Sequence, residues 1–471
     1  MTDKKHLLFI GTSSNAGKTF LTGFAGKIIK EIYNIKTCPF KAQNMSNYAS
    51  VCEVNKEIAI AQASQASLIG VEPKADMTAL LLKPLGEGRS QLVVRGVPKN
   101  IISARTYYQE IDQLKPEVDH AFTSLESDSD MLVIEGAGSG FELNLKDRDL
   151  ANQYMMQKEN VYTVLVTNIE NGGVFPSILG SYQLMTDDER QRFSGVIVNN
   201  FRGDMTLFDD GRKIIEDWGI PVLGVVPHIE YGLDSEDSMA VMDSYTQKHQ
   251  NIIQVGVIKY PRTSNINDIE PLVHDPNVHV SFITQRTNLD IFDKVILPGS
   301  RSVLDDLRWL KKTGIAEDLL NTKAEIYGIC GGYQMLHKEL QDPMGSENAS
   351  GISDYEEGPG LIPASIEFKE NKILNRADYS LYEGISVHGF EMHTGISDLY
   401  PIFYDSPRVK GSMLHEVFHD DHFRAWWLTY NNGKTVLPWS FQTWKKGVQD
   451  NVAEKLKNII DFDRMLEFKS S

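Results

Sequence analysis

A short apolar run, Leu7-Leu8-Phe9-Ile10, breaks into the loop Gly11-Thr12-Ser13-Ser14-Asn15-Ala16-Gly17-Lys18-Thr19. Apolar residues then recur at Phe20, Leu21, Phe24, Ala25, Ile28 and Ile29. No other feature constrains the fold as much. The run suits one buried strand, and the recurrence is the face of an amphipathic helix that must pack back on a sheet. A glycine-rich turn between them lets backbone amides converge, and the helix N-terminus adds positive partial charge at the same point. Phosphate oxygens fit such a point. Gly11, Thr12, Asn15, Ala16 and Gly17 are therefore expected to line an ATP site, with Lys18 reaching the phosphates and Thr19 offering its hydroxyl to Mg²⁺. The glycines stand one residue further apart than the strict Walker spacing.

The same alternation continues down the chain. His6–Ile10, Met131–Ile134, Val161–Val166, Gly195–Val198 and Val222–Val226 read as strands whose continuous apolarity suits a parallel sheet covered on both faces. A second series starts at Ile252–Ile258 and continues with Val278–Phe282, Val295–Leu297 and Ile326–Ile329. The expected fold is α/β in two domains, each a mostly parallel sheet covered by helices. Residues 1–235 form the first domain, 236–250 a polar linker, 251–440 the second domain and 441–471 a C-terminal helical extension.

A net charge of −17 argues against general nucleic-acid or anionic-membrane binding, which needs clustered Lys and Arg. Three cysteines over 471 residues, none at metal-ligand spacing, suit a reducing cytoplasm better than a disulfide framework. No apolar stretch approaches the ~18 residues of a membrane span.

Glu135-Gly136-Ala137-Gly138 follows a strand, at the sheet edge where ligands of parallel sheets bind. Glu135 is thus a candidate Mg²⁺ ligand beside Thr19. In Tyr327-Gly328-Ile329-Cys330-Gly331-Gly332-Tyr333, glycines flank a cysteine between a strand and a helix. They permit the sharp turn that exposes a nucleophile, and the helix N-terminus favours negative charge on its sulfur. The amides of Gly331 and of Gly299, in Leu297-Pro298-Gly299-Ser300, are candidates for an oxyanion hole. A general base should be a histidine elsewhere. Among twelve, the choice falls on His415, and it leans on the resemblance that follows.

The loop at 11–19 resembles the dethiobiotin-synthetase type. Together with Glu135 to Gly138 and Gly328 to Leu336, it resembles the cobyric acid synthase family. Phe40 to Ser46, Leu82-Lys83-Pro84, Asn144 to Asp149 and Phe201 to Asp204 are similar to that family's synthetase domain, and Pro261 to Asn265 and Leu414-His415 to its class I, triad-type glutaminase domain. The resemblance implies glutamine- and ATP-dependent amidation, with Mg²⁺, of carboxylates on a corrin, adenosylcobyrinic acid a,c-diamide. It implies Cys330 and His415 as the glutaminase pair and Lys41 as a second phosphate-side lysine. Class I enzymes often carry a Glu two residues after the histidine; here that residue is Val417, and the family is similar in lacking it. Asp147 and Asp149 are candidates for acceptor-side electrostatics.

Other positions depart from the family pattern. Asn168-Ile169-Glu170-Asn171 stands where the family has Asp-x-Asp-Arg, Phe141 interrupts its Gly-Ser-Pro-Ala-Glu, and Glu416 replaces the glycine of its Leu-His-Gly. Asn168 and Glu170 fall in a strand-end loop where an acceptor is expected to sit. Amidation of a different carboxylate, and a catalytically inactive nucleotide-binding scaffold, remain the alternatives. The residues say nothing of oligomeric state.

Overall fold

The computed structural model describes residues 4–86, 88–229, 253–345, 347, 352–430 and 433–468; the linker expected at 236–250 lies outside them. The chain forms two compact units. The first takes the chain up to Ser46, resumes at Ile58, and takes it up again from Lys446. The second takes Asn47–Glu57 and the later residues through Lys445.

The first unit is built on a nine-stranded sheet. From one edge its strands run Val222–Pro227, Phe193–Phe201, Val161–Asn168, β1 (His6–Gly11), Met131–Glu135, β2 (Thr37–Met45), Thr78–Gly86, Arg89–Val94 and Val97–Ser103. Pairing is parallel as far as Thr78–Gly86, and the last two strands join antiparallel. The helix α1 (Lys18–Tyr33) follows β1. Its residues Leu21, Phe24, Ala25, Ile28 and Ile29 pack on Leu7, Phe9, Val133 and Val164 of the sheet, the face anticipated from their spacing. Val452, Ala453 and Leu456 of the late helix Phe441–Ile459 complete the same core, with Ile460, Phe462 and Met465.

In the second unit a six-stranded sheet runs Val278–Ile283, Ile253–Ile258, Lys294–Leu297, Glu325–Ile329, Val409–Ser412 and Phe403–Asp405, all parallel except the last pair. Successive residues serve opposite faces. Leu297 and Ile326 enter one core and Ile296 and Tyr327 the other, which is why these strands are apolar throughout.

The mostly parallel, helix-covered architecture read from the sequence is borne out, with one addition. A second, five-stranded sheet orders Asp354–Glu357, His337–Asp342, Ile362–Ser380, Ser386–Ser397 and Leu414–His415. A hairpin of β3 (Ala49–Glu53) and β4 (Lys56–Ala59) leads into α2 (Ile60–Ile69). Among the described residues no helix is long and apolar enough to cross a membrane.

Candidate functional site

Between β1 and α1, Asn15 and Gly17 adopt positive φ, 57° and 96°. Left-handed turns of this kind build the concave backbone that cradles anions. The neighbouring strand ends pin it from behind. Asn199 donates to the Ala16 carbonyl at 3.0 Å, Asn168 to that of Asn15 at 3.3 Å, and Thr12 to the Thr167 hydroxyl at 3.1 Å. A Cβ on Gly17 would come within 2.0 Å of Asn199 Nδ2, so the turn admits only glycine. Lys18 is buried and donates to the carbonyls of Ser13 and Gly138 at 3.1 and 2.7 Å; its burial, partly offset by Glu135, lowers its pKa to about 8.

Glu135 is the hub of this site, 2% exposed at the end of its strand. Its Oε1 accepts from Thr19 Oγ1 at 2.8 Å and Lys41 Nζ at 2.7 Å. Its Oε2 accepts from Gln62 and Gln65 of α2 at 3.1 and 2.8 Å. The geometry thus joins Lys18, Thr19, Lys41 and Glu135, all anticipated, and adds two glutamines that were not. Their one signal was amides three residues apart on a helix of otherwise small or apolar residues.

The acceptor-side candidates divide. Asn168 joins the phosphate loop and caps its own turn by accepting from Glu170 N at 3.0 Å. Glu170 pairs with Arg202, whose hydrogen bond holds its carboxyl below the usual range. Asp149 turns inward: it accepts from the amides of Ala151 and Asn152 at 3.0 and 2.8 Å and from the Asn152 side chain at 2.9 Å. Asn152 in turn binds the Ala137 carbonyl at 2.7 Å, so Asp149 braces the Glu135-Gly136-Ala137-Gly138 loop from a distance. Asp147 stands exposed on the turn Leu143–Arg148, apart from this cluster.

In the second unit Cys330 joins the strand Glu325–Ile329 to the helix Gly331–Met335 with φ 48° and ψ −106°. A non-glycine residue held there is strained, as nucleophile elbows are. Its amide donates to Ser412 O at 2.8 Å, and its sulfur lies 3.8 Å from Met392 O. A Cβ on Gly331 would lie 2.7 Å from the Ser300 amide nitrogen, and one on Gly299 would lie 3.2 Å from His415 Cε1. Gly299, Gly331, Cys330 and His415 therefore meet at one place.

His415 is buried, and its Nδ1 lies 2.7 Å from Asp268 Oδ2. Burial alone would lower its pKa. The Asp268 carboxylate and the Cys330 sulfur, which hydrogen-bonds the ring, outweigh burial and raise it well above 6.5. With Nδ1–H committed to Asp268, the other ring nitrogen is left for the thiol. A third partner was not expected after Val417, which is core. The structure supplies one from the turn Ile266–Ile269, 147 residues upstream, where spacing around the histidine gives no hint of it.

Comparison with known proteins shows the family to which the chain belongs. A CobB/CobQ-like glutamine amidotransferase domain model matches residues 254–417, which include Asp268, Cys330 and His415. An AAA domain model matches residues 97–234, beginning after the phosphate loop. The chain is 40% identical to the cobyric acid synthase of Acinetobacter baylyi over 98% of its own length and 99% of the relative's. It is 36% identical to that of a Geobacillus species and 35% identical to a probable cobyric acid synthase of Methanosarcina barkeri, in each case over 98% of this chain and 97% of the other. In sequence over nearly its whole length, this chain belongs to the cobyric acid synthase family.

Proposed function

We propose that the chain makes cobyric acid, amidating side-chain carboxylates of adenosylcobyrinic acid a,c-diamide with glutamine-derived ammonia and ATP. The observation that carries this reading is the Cys330–His415–Asp268 arrangement inside the matched amidotransferase domain. The Cys330 thiolate attacks the glutamine carboxamide carbon while the Gly299 and Gly331 amides oppose the oxyanion. His415 protonates the departing nitrogen, ammonia leaves, and water then hydrolyses the thioester to glutamate. In the first unit ATP phosphorylates the acceptor carboxylate, since phosphate leaves where oxide does not. Ammonia displaces the phosphate. Lys18 and Lys41 offset charge on the transferring phosphoryl group, and Asn168 and Glu170 face the acceptor.

Thr19 and Glu135 suit Mg²⁺. Their oxygens lie 2.8 Å apart, close to the ~3 Å between neighbouring ligands of an octahedral ion with bonds of about 2.1 Å. When bound, the ion neutralises phosphate charge. Among the described residues no three His, Cys, Asp or Glu side chains gather for a metal, and a site completed by phosphates and waters needs none.

The test is isotopic. Glutamine labelled at its amide nitrogen, ATP and Mg²⁺ should yield a labelled amidated corrin. Cys330→Ala should lose glutamine hydrolysis while retaining amidation from high ammonium. Glutamine hydrolysis surviving in that variant would refute the nucleophile. Absence of amidated corrin from a chain competent in both half-reactions would refute the corrin acceptor and turn the search to another carboxylate.

A further inference from the structure

Three adjacent strands of the five-stranded sheet set Arg376, Phe390 and His415 in a row: Arg376 is opposite Phe390, and Phe390 is opposite His415. The Phe390 and His415 rings stack, with centroids 4.9 Å apart and planes 21° from parallel. The Arg376 guanidinium lies 4.9 Å from the Phe390 centroid. An aromatic plate therefore holds the imidazole, and a cation holds the plate.

The same guanidinium reaches three further partners. Nη1 donates to Glu416 Oε2 at 2.8 Å, Nε to Val51 O at 2.7 Å, and Nη2 to Ser50 Oγ at 2.8 Å. Glu416 directly follows His415 and has φ 65°, a conformation that costs an L residue and suits glycine. In that conformation its amide donates at 2.8 Å to Asp268 Oδ1, the other oxygen of the carboxylate that holds His415 Nδ1. Relaxation of residue 416 to negative φ would swing that amide away and loosen the histidine with it.

We propose that Arg376 is a positioning residue of the glutaminase site, which clamps Glu416 in its left-handed conformation and Phe390 against the imidazole, and so keeps His415 aimed between Asp268 and Cys330. The proposal rests on the glutaminase reading given above. Ser50 and Val51 complete the clamp from the β3 strand, the piece of the N-terminal half that belongs to the second unit.

The experiment compares Arg376→Gln, Glu416→Gly and the double variant in the full chain. It measures kcat and KM for glutamine hydrolysis, with ammonium-driven ATP turnover reporting an intact fold. Arg376→Gln should lose on the order of 10- to 100-fold in kcat, the scale of a misplaced catalytic group, with little change in KM. Glu416→Gly should stay near the parent, because glycine holds φ +65° without a clamp. The double variant should recover the share of the loss carried by residue 416, a rescue that a merely structural arginine would not show. Parental kcat in Arg376→Gln, or a double variant no better than Arg376→Gln, overturns the proposal. If Arg376→Gln also loses ammonium-driven turnover, Glu416→Gly decides, and a glycine as damaging as the glutamine overturns it. Glutamine hydrolysis that persists in Cys330→Ala would instead fail the glutaminase reading, whatever the clamp does.

Discussion

At His415 burial and charge pull one imidazole in opposite directions, and charge wins through Asp268 and Cys330. Asp268→Asn keeps the shape and removes the charge. Burial then prevails, the His415 pKa falls, and the ring becomes a poorer acceptor for the Cys330 proton. Glutamine hydrolysis should drop by roughly two to four orders of magnitude, and iodoacetamide should alkylate Cys330 more slowly at pH 7. An unchanged alkylation rate would refute the coupling. The same shift sets a sign on stability. A histidine raised in the folded state lends its full contribution below the unfolded value near 6.5 and loses it as pH rises through the folded value. Cys330 was legible in the sequence because an elbow is written in adjacent residues, glycines included. Asp268 was not, because it meets His415 only through the fold. Gln62 and Gln65 were hidden for another reason: a helical glutamine is usually solvated, and nothing local reveals a carboxylate waiting beneath it.

Elements differ in how openly they are written. Strands buried on both faces announce themselves as unbroken apolar runs, and Met131–Glu135 and Glu325–Ile329 appeared where expected. The long strand Ile362–Ser380 begins with buried residues alternating with exposed or half-exposed ones and then carries Lys369, Glu370 and Asn371. Its average polarity is that of a loop, so the sheet supporting His415 went unread. The elbow itself depends on backbone meeting backbone. A Cβ on Gly332 would fall 2.0 Å from Leu297 O and 2.6 Å from Pro298 O, neither of which can move aside like a side chain. Gly332→Ala is therefore expected to destabilise the second unit by about 3 kcal/mol or more. Its thermal unfolding should show this as a lowered midpoint, and an unaltered midpoint would contradict the crowding.

For the molecule as a whole, the motifs for phosphate and for glutamine all lie before residue 420, yet the first unit's core does not close there. Val452, Leu456, Ile460, Phe462 and Met465 are buried in the cluster that holds Leu7, Phe9 and Phe24. Each such side chain contributes about 1.5–3 kcal/mol by burial. Five together rival the 5–15 kcal/mol by which a whole domain is typically stable. Removing the chain from Lys446 onward should leave the first unit open to protease and prone to aggregate, although no motif is touched. A truncated chain that resists limited proteolysis like the parent would show the helix to be dispensable.

Each unit thus contains a piece of chain synthesised with the other: Asn47–Glu57 emerges from the ribosome long before the strands it packs against, and the segment from Lys446 emerges long after the sheet it covers. A gene cut once between the two strand series would encode two polypeptides, neither holding a whole unit. Recombination at that junction with a homologue would build each unit from both parents, so a hybrid must satisfy the packing of two cores at once.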